Sequence, residues 1–263
     1  MNRLKHLGAL LCILTFCAGT PSLARELIQL SDKEATSIGQ KIWQNEGLGK
    51  TENLIVWNKG EEFPSLGIGH FIWYPAGYEG PFTESFPQLL EYLSKTLPPP
   101  VWLMKQSDAP WPNRNAFYTE IDSARMNELR GYLEDTIPQQ TRFIIKRLNA
   151  SLPKILATLE SDRKRQQIER QFYHVARSSQ GVYALIDYVN FKGEGTSPKE
   201  RYKGKGWGLL QVLDNMATGS DDTMAEFVRA ADFVLTRRVN NAPRDESRWL
   251  SGWRKRLQTY LAQ

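Results

Sequence analysis

The sequence predicts an α+β protein, mainly helical, with a small antiparallel sheet near its N-terminal end. Three observations lead there. Apolar spacing near 3.6 residues dominates from about Thr83 onward. Two strand-like runs, "NLIVWN" (53 to 58) and "FPSLGIGHFIWYP" (63 to 75), flank a turn at Gly60. The chain beyond residue 24 has no cysteine, so the fold must rest on apolar packing rather than disulfides.

The first residues read as an export leader. Arg3 and Lys5 precede an apolar stretch, Leu7 to Ala18, too short to span a bilayer, and Pro21-Ser22-Leu23-Ala24 follows with a small-x-small pattern. Cleavage is expected after Ala24. Cys12 and Cys17 lie inside the leader, and the bulky Leu11 and Phe16 before them argue against a lipid anchor. The expectation is a periplasmic or secreted chain of 239 residues (263 minus 24), with no membrane insertion after cleavage. Its charge is +3: 32 basic residues, after removing Arg3 and Lys5 from 34, against 29 acidic. That balance, with no nucleic-acid motif present, excludes nucleic acid as an expected partner. Nothing in the pattern specifies an oligomeric state.

Beyond the leader, three segments follow. In 25–80, Ser31-x-x-Glu34 is a capping box that opens a helix running to about Glu46. Ile38, Ile42 and Trp43 fall on one face, and the strands come next. In 81–180, "SFPQLLEYLSK", "ARMNELRGYLED" and "QTRFIIKRLNASLPKILATLE" are helical, with Pro153 as a start or kink. The run "RKRQQIERQ" reads as a solvated helix face. In 181–263, "GVYALIDYVNFKGEG" is an apolar helix ending in a glycine turn, and "KGKGWGLLQVLDNM" restarts a helix. Thr223-x-x-Glu226 caps another, and "ESRWLSGWRKRLQTYL" closes the chain amphipathically.

The glycines around His70 invite a nucleotide reading, but no third glycine opens a helix and no Gly-Lys-Ser or Gly-Lys-Thr follows. His70 and His174 are the only histidines past the leader and neither sits in a ligand cluster, so no metal is expected. A Gly-x-Ser-x-Gly elbow is missing. Glycoside chemistry fits better. It needs a carboxylic acid beside the scissile oxygen and a carboxylate or positioned water on the opposite face of the sugar. Glu46, at a helix end beside apolar Trp43 and Leu48, is the candidate acid, with partial burial expected to raise its pKa. Glu61, Glu62 and Ser65 lie on the adjoining hairpin. Trp57, Trp73, Tyr74 and Trp207 are candidate stacking platforms, although tryptophans more often serve the core.

"NEGL" (45 to 48) followed by "WNKGEEFPSLGIGHF" resembles the phage-type lysozymes, a glycoside hydrolase family. In that family a helix ends in Glu-Gly-Leu and the next hairpin carries Thr-x-Gly-x-Gly-His. "IDYVNFKGEGT" (186 to 196) is similar to the family's long central helix and cleft-rimming turn, and "RRVNNAPRDESRWLSGW" (237 to 253) to its closing stretch. The resemblance implies a lysozyme-like fold: a small sheet lobe, a larger helical lobe and, at 81–180, a helical insertion. It implies cleavage of a β-linked glycan, foremost the peptidoglycan backbone, without metal or organic cofactor. Glu46 matches the family's general acid and Ser65 its water-positioning threonine. His70 matches a supporting histidine, favoured here as structural. Lys59 stands where the family has its catalytic aspartate, which leaves Glu61 or Glu62 to supply that carboxylate, or points to a non-catalytic glycan-binding protein. "KGWGLLQVLD" (205 to 214) also looks like a segment of lytic transglycosylases and would nominate Glu194 as the acid. Otherwise Glu194 binds substrate from the opposite lobe.

Overall fold

A computed structural model describes residues 27–80 and 82–261. The leader, with Cys12, Cys17 and the expected cleavage after Ala24, lies outside the described residues. The fold is α+β and mainly helical, with small antiparallel sheets. Among the described residues no helix is long and apolar enough to cross a membrane.

Helix α1 (Asp32–Gly47) begins at the expected capping box: Ser31 Oγ accepts the Glu34 amide while the Glu34 carboxylate accepts the Ser31 amide. Ala35, Ile38, Gly39 and Ile42 are its buried face. The helix stops because Leu48 turns left-handed, with φ 55°. Strands β1 (Ile55–Val56), β2 (Ser65–Leu66) and β3 (Phe71–Ile72) form one antiparallel sheet in that order. Ile55, Leu66 and Phe71 are cross-strand neighbours on its buried face. Val56, Ser65 and Ile72 share the other.

The β2–β3 tip, Gly67 to His70, is pinned from below. Ile68 donates its amide to Gln140 Oε1 at 2.9 Å, and a Cβ on Gly67 would stand 2.4 Å from that oxygen. Gly67 also has φ +73°, so glycine is required there twice over.

Gln140 belongs to α5 (Ile137–Ala157), the longest helix. Before it come α2 (Phe86–Leu93), α3 (Arg114–Thr119) and α4 (Ala124–Asp135), the last spanning the whole of "ARMNELRGYLED". Pro138 sits in the first turn of α5, where no amide is needed, but the helix runs unbroken through Pro153. Then follow α6 (Asp162–Val175) and α7 (Ser179–Lys192). The segment 81–180 is the one expected as a helical insertion. Helix α5 packs on α1, α2, α6 and α7, and one core joins residues on both sides of it.

Helix α7 is buried without a break from Gly181 to Tyr188, as its apolar run requires. A two-stranded hairpin, β4 (Arg201–Tyr202) with β5 (Lys205–Gly206), leads into α8 (Leu209–Asn215). Helix α9 (Thr223–Asn241) is capped by Asp222, whose carboxylate accepts the Ala225 amide. The expected Thr223 cap is displaced by one residue because the Thr223 hydroxyl instead bonds His174 at 2.7 Å. Helix α10 (Ser247–Gln258) packs on α9 and closes the fold.

Candidate active site

Glu46 occupies the last turn of α1, where the helix meets the hairpin tip and α10. Its side chain is 20% exposed. One carboxylate oxygen accepts Arg256 of α10; the other lies 3.7 Å from His70 Nδ1. Leu48, expected beside it, is 62% exposed, and two basic side chains face the Glu46 carboxylate.

Arg256 is held by more than Glu46. Its Nε and one terminal nitrogen donate to the two oxygens of Asp187 at 2.7 and 2.8 Å. Asp187 is 1% exposed in the middle of apolar α7, and it also accepts the Tyr260 hydroxyl at 2.6 Å and Asn45 Nδ2 at 3.2 Å. Asn45 reaches the Tyr183 hydroxyl as well. Burial opposes the charge on Arg256, but the Asp187 bonds and the Glu46 charge outweigh it and hold the guanidinium above its ordinary range. A buried carboxylate with four donors around it is satisfied. The result is a fixed cation against the candidate acid.

On the hairpin side, His70 adopts a left-handed conformation, φ 48°, uncommon for a residue with a side chain. Burial lowers its pKa despite the charges of Glu46 and Glu61, so the ring is held toward neutrality. Its Nε2 is buried without a hydrogen-bond partner among the described residues. Glu61 closes the turn after β1. Its carboxylate accepts Asn58 Nδ2 at 3.1 Å and its carbonyl accepts Trp57 Nε1 at 2.7 Å. Helix α3 braces that turn, with Arg114 Nε donating to the Trp57 carbonyl at 2.7 Å. Of the two glutamates expected on the hairpin, Glu61 is the one whose charge reaches His70; Glu62 is exposed. Lys59 is exposed on the same turn. Ser65 is buried on the sheet face it shares with Val56 and Ile72.

The proposed stacking residues fare differently. Trp57 and Trp73 are each 1% exposed and spend their rings on the core, Trp57 against Phe117 and Trp73 against Phe86 and Trp111. Tyr74 is buried against Phe63, with its hydroxyl on the Phe82 carbonyl. None of the three offers a face to a sugar. Trp207 is buried too, between Tyr202 and the Arg238 guanidinium, which lies 4.2 Å from its ring centre. Gly67 and Gly69 serve the approach of the hairpin to Gln140 and Ile144 of α5.

Glu194 follows α7 in a turn locked by α8. The amides of Leu209 and Leu210 donate to the carbonyls of Gly193 and Glu194, and Gln211 Nε2 donates to Gly195. Its carboxylate faces α5, 3.7 Å from Lys154 Nζ and within reach of the Arg147 charge. These partners do not overlap with those of Glu46.

Asp187, Arg256, Asn45 and Tyr260 escaped the sequence reading. A signal existed: an aspartate inside the apolar run "YALIDYV" must be paired if the helix is buried. Its partners, up to 142 positions away, could not be read from spacing. Among the described residues no three His, Cys, Asp or Glu side chains gather to hold a metal. Comparison with family models, curated proteins and solved structures yields no match.

Proposed function

We propose that the protein is an exported glycosidase of lysozyme-like fold, acting on a β-linked glycan of the peptidoglycan type, with Glu46 as general acid. The observation that carries this reading is the placement of one imidazole, His70, within the fields of Glu46 and Glu61, at the junction of helix end and hairpin. Glycosidases need two carboxyl groups flanking the scissile bond. In this reading the Glu46 proton passes to the leaving glycosidic oxygen as the bond to the anomeric carbon breaks. Water adds to that carbon and yields its proton to Glu61, with Ser65 orienting the water. Arg256 positions the Glu46 carboxylate, and the neutral His70 ring walls it on the other side.

A second reading is a non-catalytic glycan binder on the same scaffold. The direct Arg256–Glu46 pair and the lysine at position 59 favour it, since a carboxylate engaged by a guanidinium is suited to holding a ligand hydroxyl. Incubating the mature protein with peptidoglycan sacculi and with neutral β-glucans, beside Glu46→Gln, Glu61→Gln and Glu194→Gln, separates the readings. Release of reducing ends that is lost in the first two variants supports the hydrolase. Binding without release supports the binder. A 1,6-anhydro product lost only in Glu194→Gln moves the acid to Glu194.

A further inference from the structure

Lys192 ends α7, and it shares the Phe191 ring with Arg256, the partner of Glu46. Its ammonium lies 3.9 Å from the centre of the Phe191 ring and 3.7 Å from that of Trp253. Arg238 is 5.2 Å from the same Trp253 ring, and Arg256 is 4.6 Å from Phe191. Three cations therefore share one aromatic frame. The nearby carboxylates are already engaged: Glu246 by Arg238 and Tyr202, Asp187 by Arg256 and Tyr260. Lys192 has no carboxylate or carbonyl partner among the described residues.

Cation–π contact compensates part of a desolvated charge, not all of it. An incoming anion supplies the rest, in a setting where rings exclude water and strengthen the attraction. Arg238 gives its Nε to Glu246, and Arg256 gives its Nε and one terminal nitrogen to Asp187 and Glu46, so Lys192 is the cation of the three with no carboxylate of its own, a point charge suited to a single negative charge.

We propose that Lys192, framed by Phe191 and Trp253, is a subsite for a carboxylate carried on the glycan. The inference rests on the glycan reading of the site and names the substituent it selects.

Burial pushes the Lys192 amine down to about 7, with Arg238 and Arg256 adding to the fall and Glu246 opposing it. Of the groups facing it, Arg256 is held above its ordinary range by Asp187 and Glu46 despite its burial. Glu246, whose burial is outweighed by Arg238 and the Tyr202 hydroxyl, lies below the usual carboxylate range. Lys192 alone therefore titrates near neutrality, and a bound carboxylate holds its proton in place. Affinity should be full below pH 7 and about tenfold weaker at pH 8, where about a tenth of the amine stays charged.

The test uses two sugars that differ by one lactyl carboxylate, N-acetylmuramic acid and N-acetylglucosamine. Each is titrated into the mature protein while the lysine ε-methylene resonances are followed by NMR. The expected result is a rise in the Lys192 midpoint with N-acetylmuramic acid only, and a preference over N-acetylglucosamine that disappears in Lys192→Met and partly returns in Lys192→Arg. Equal effects of the two sugars, an unchanged preference in Lys192→Met, or an equal response to N-acetylglucosamine 6-phosphate overturns the proposal. Hydrolysis that depends on Glu46 but ignores Lys192 would remove the subsite alone. A carboxylate-dependent Lys192 shift in a protein that cleaves no glycan would keep the subsite and remove the hydrolase.

Discussion

On the hairpin side of the site, side chains hold backbone: Gln140 accepts the Ile68 amide, Trp57 donates to the Glu61 carbonyl and Arg114 donates to the Trp57 carbonyl. On the α10 side, charges hold charges: Asp187 fixes Arg256, Arg256 meets Glu46, and Lys192 sits unpaired beyond. The first wall sets where the hairpin carboxylate stands, and, His70 apart, its stability should change little with pH or salt. The second sets the field around the acid and should respond to both. A site built this way separates geometry from electrostatics, so each can be perturbed alone.

The largest effect should come from Arg256→Ala, which strands the Asp187 carboxylate in the core. A loss of about 3–5 kcal/mol in urea unfolding is expected, and adding Asp187→Asn should recover much of it. Full additivity of the two changes would break the ionic account of that wall. On the other wall, Gln140→Ala leaves the Ile68 amide and the Leu133 carbonyl without their partner. It should cost about 2–3 kcal/mol, nearly constant between pH 5 and 9 and in high salt.

Lys192→Met tests the pH response. The folded amine titrates at about 7, below the ordinary 10.5. Unfolded chain therefore binds more protons between those values, and wild-type stability rises with pH across that window. Its burden is full below pH 7, where the variant should be more stable by on the order of 3 kcal/mol. Thermal melts of both proteins from pH 6 to 10 should converge toward the alkaline end. Parallel curves would contradict the buried-amine description. The smallest effect should be that of His70→Asn, which tolerates the left-handed backbone. The His70 pKa is lowered, so protonation favours the unfolded chain and wild-type stability falls as pH drops below about 6.5. Melts of the Asn variant should lack that part of the acid slope.

Much of the scaffold was legible because its signals are local. Ser31 and Glu34 cap α1 three residues apart, and α4 follows its apolar period from Ala124 to Asp135. The hairpin and the position of Glu46 at a helix end were readable for the same reason. What was not readable is long-range. The burial of Trp57 and Trp73 depends on α2 and α3 closing over the sheet. The guanidinium beside Glu46 arrives from 210 positions away. Segment 81–180 reads as an insertion because it exceeds the length of the family the chain resembles, and spacing gave no sign that Gln140 within it holds the hairpin tip.

The most direct test of the central claim is the rate at which Glu46→Gln releases reducing ends from peptidoglycan, measured beside its melting temperature. With Glu46 as general acid, the rate falls about 10²–10⁴-fold while the protein stays folded, and Glu194→Gln retains activity. A Glu46→Gln protein that cleaves at the parent rate would contradict the assignment.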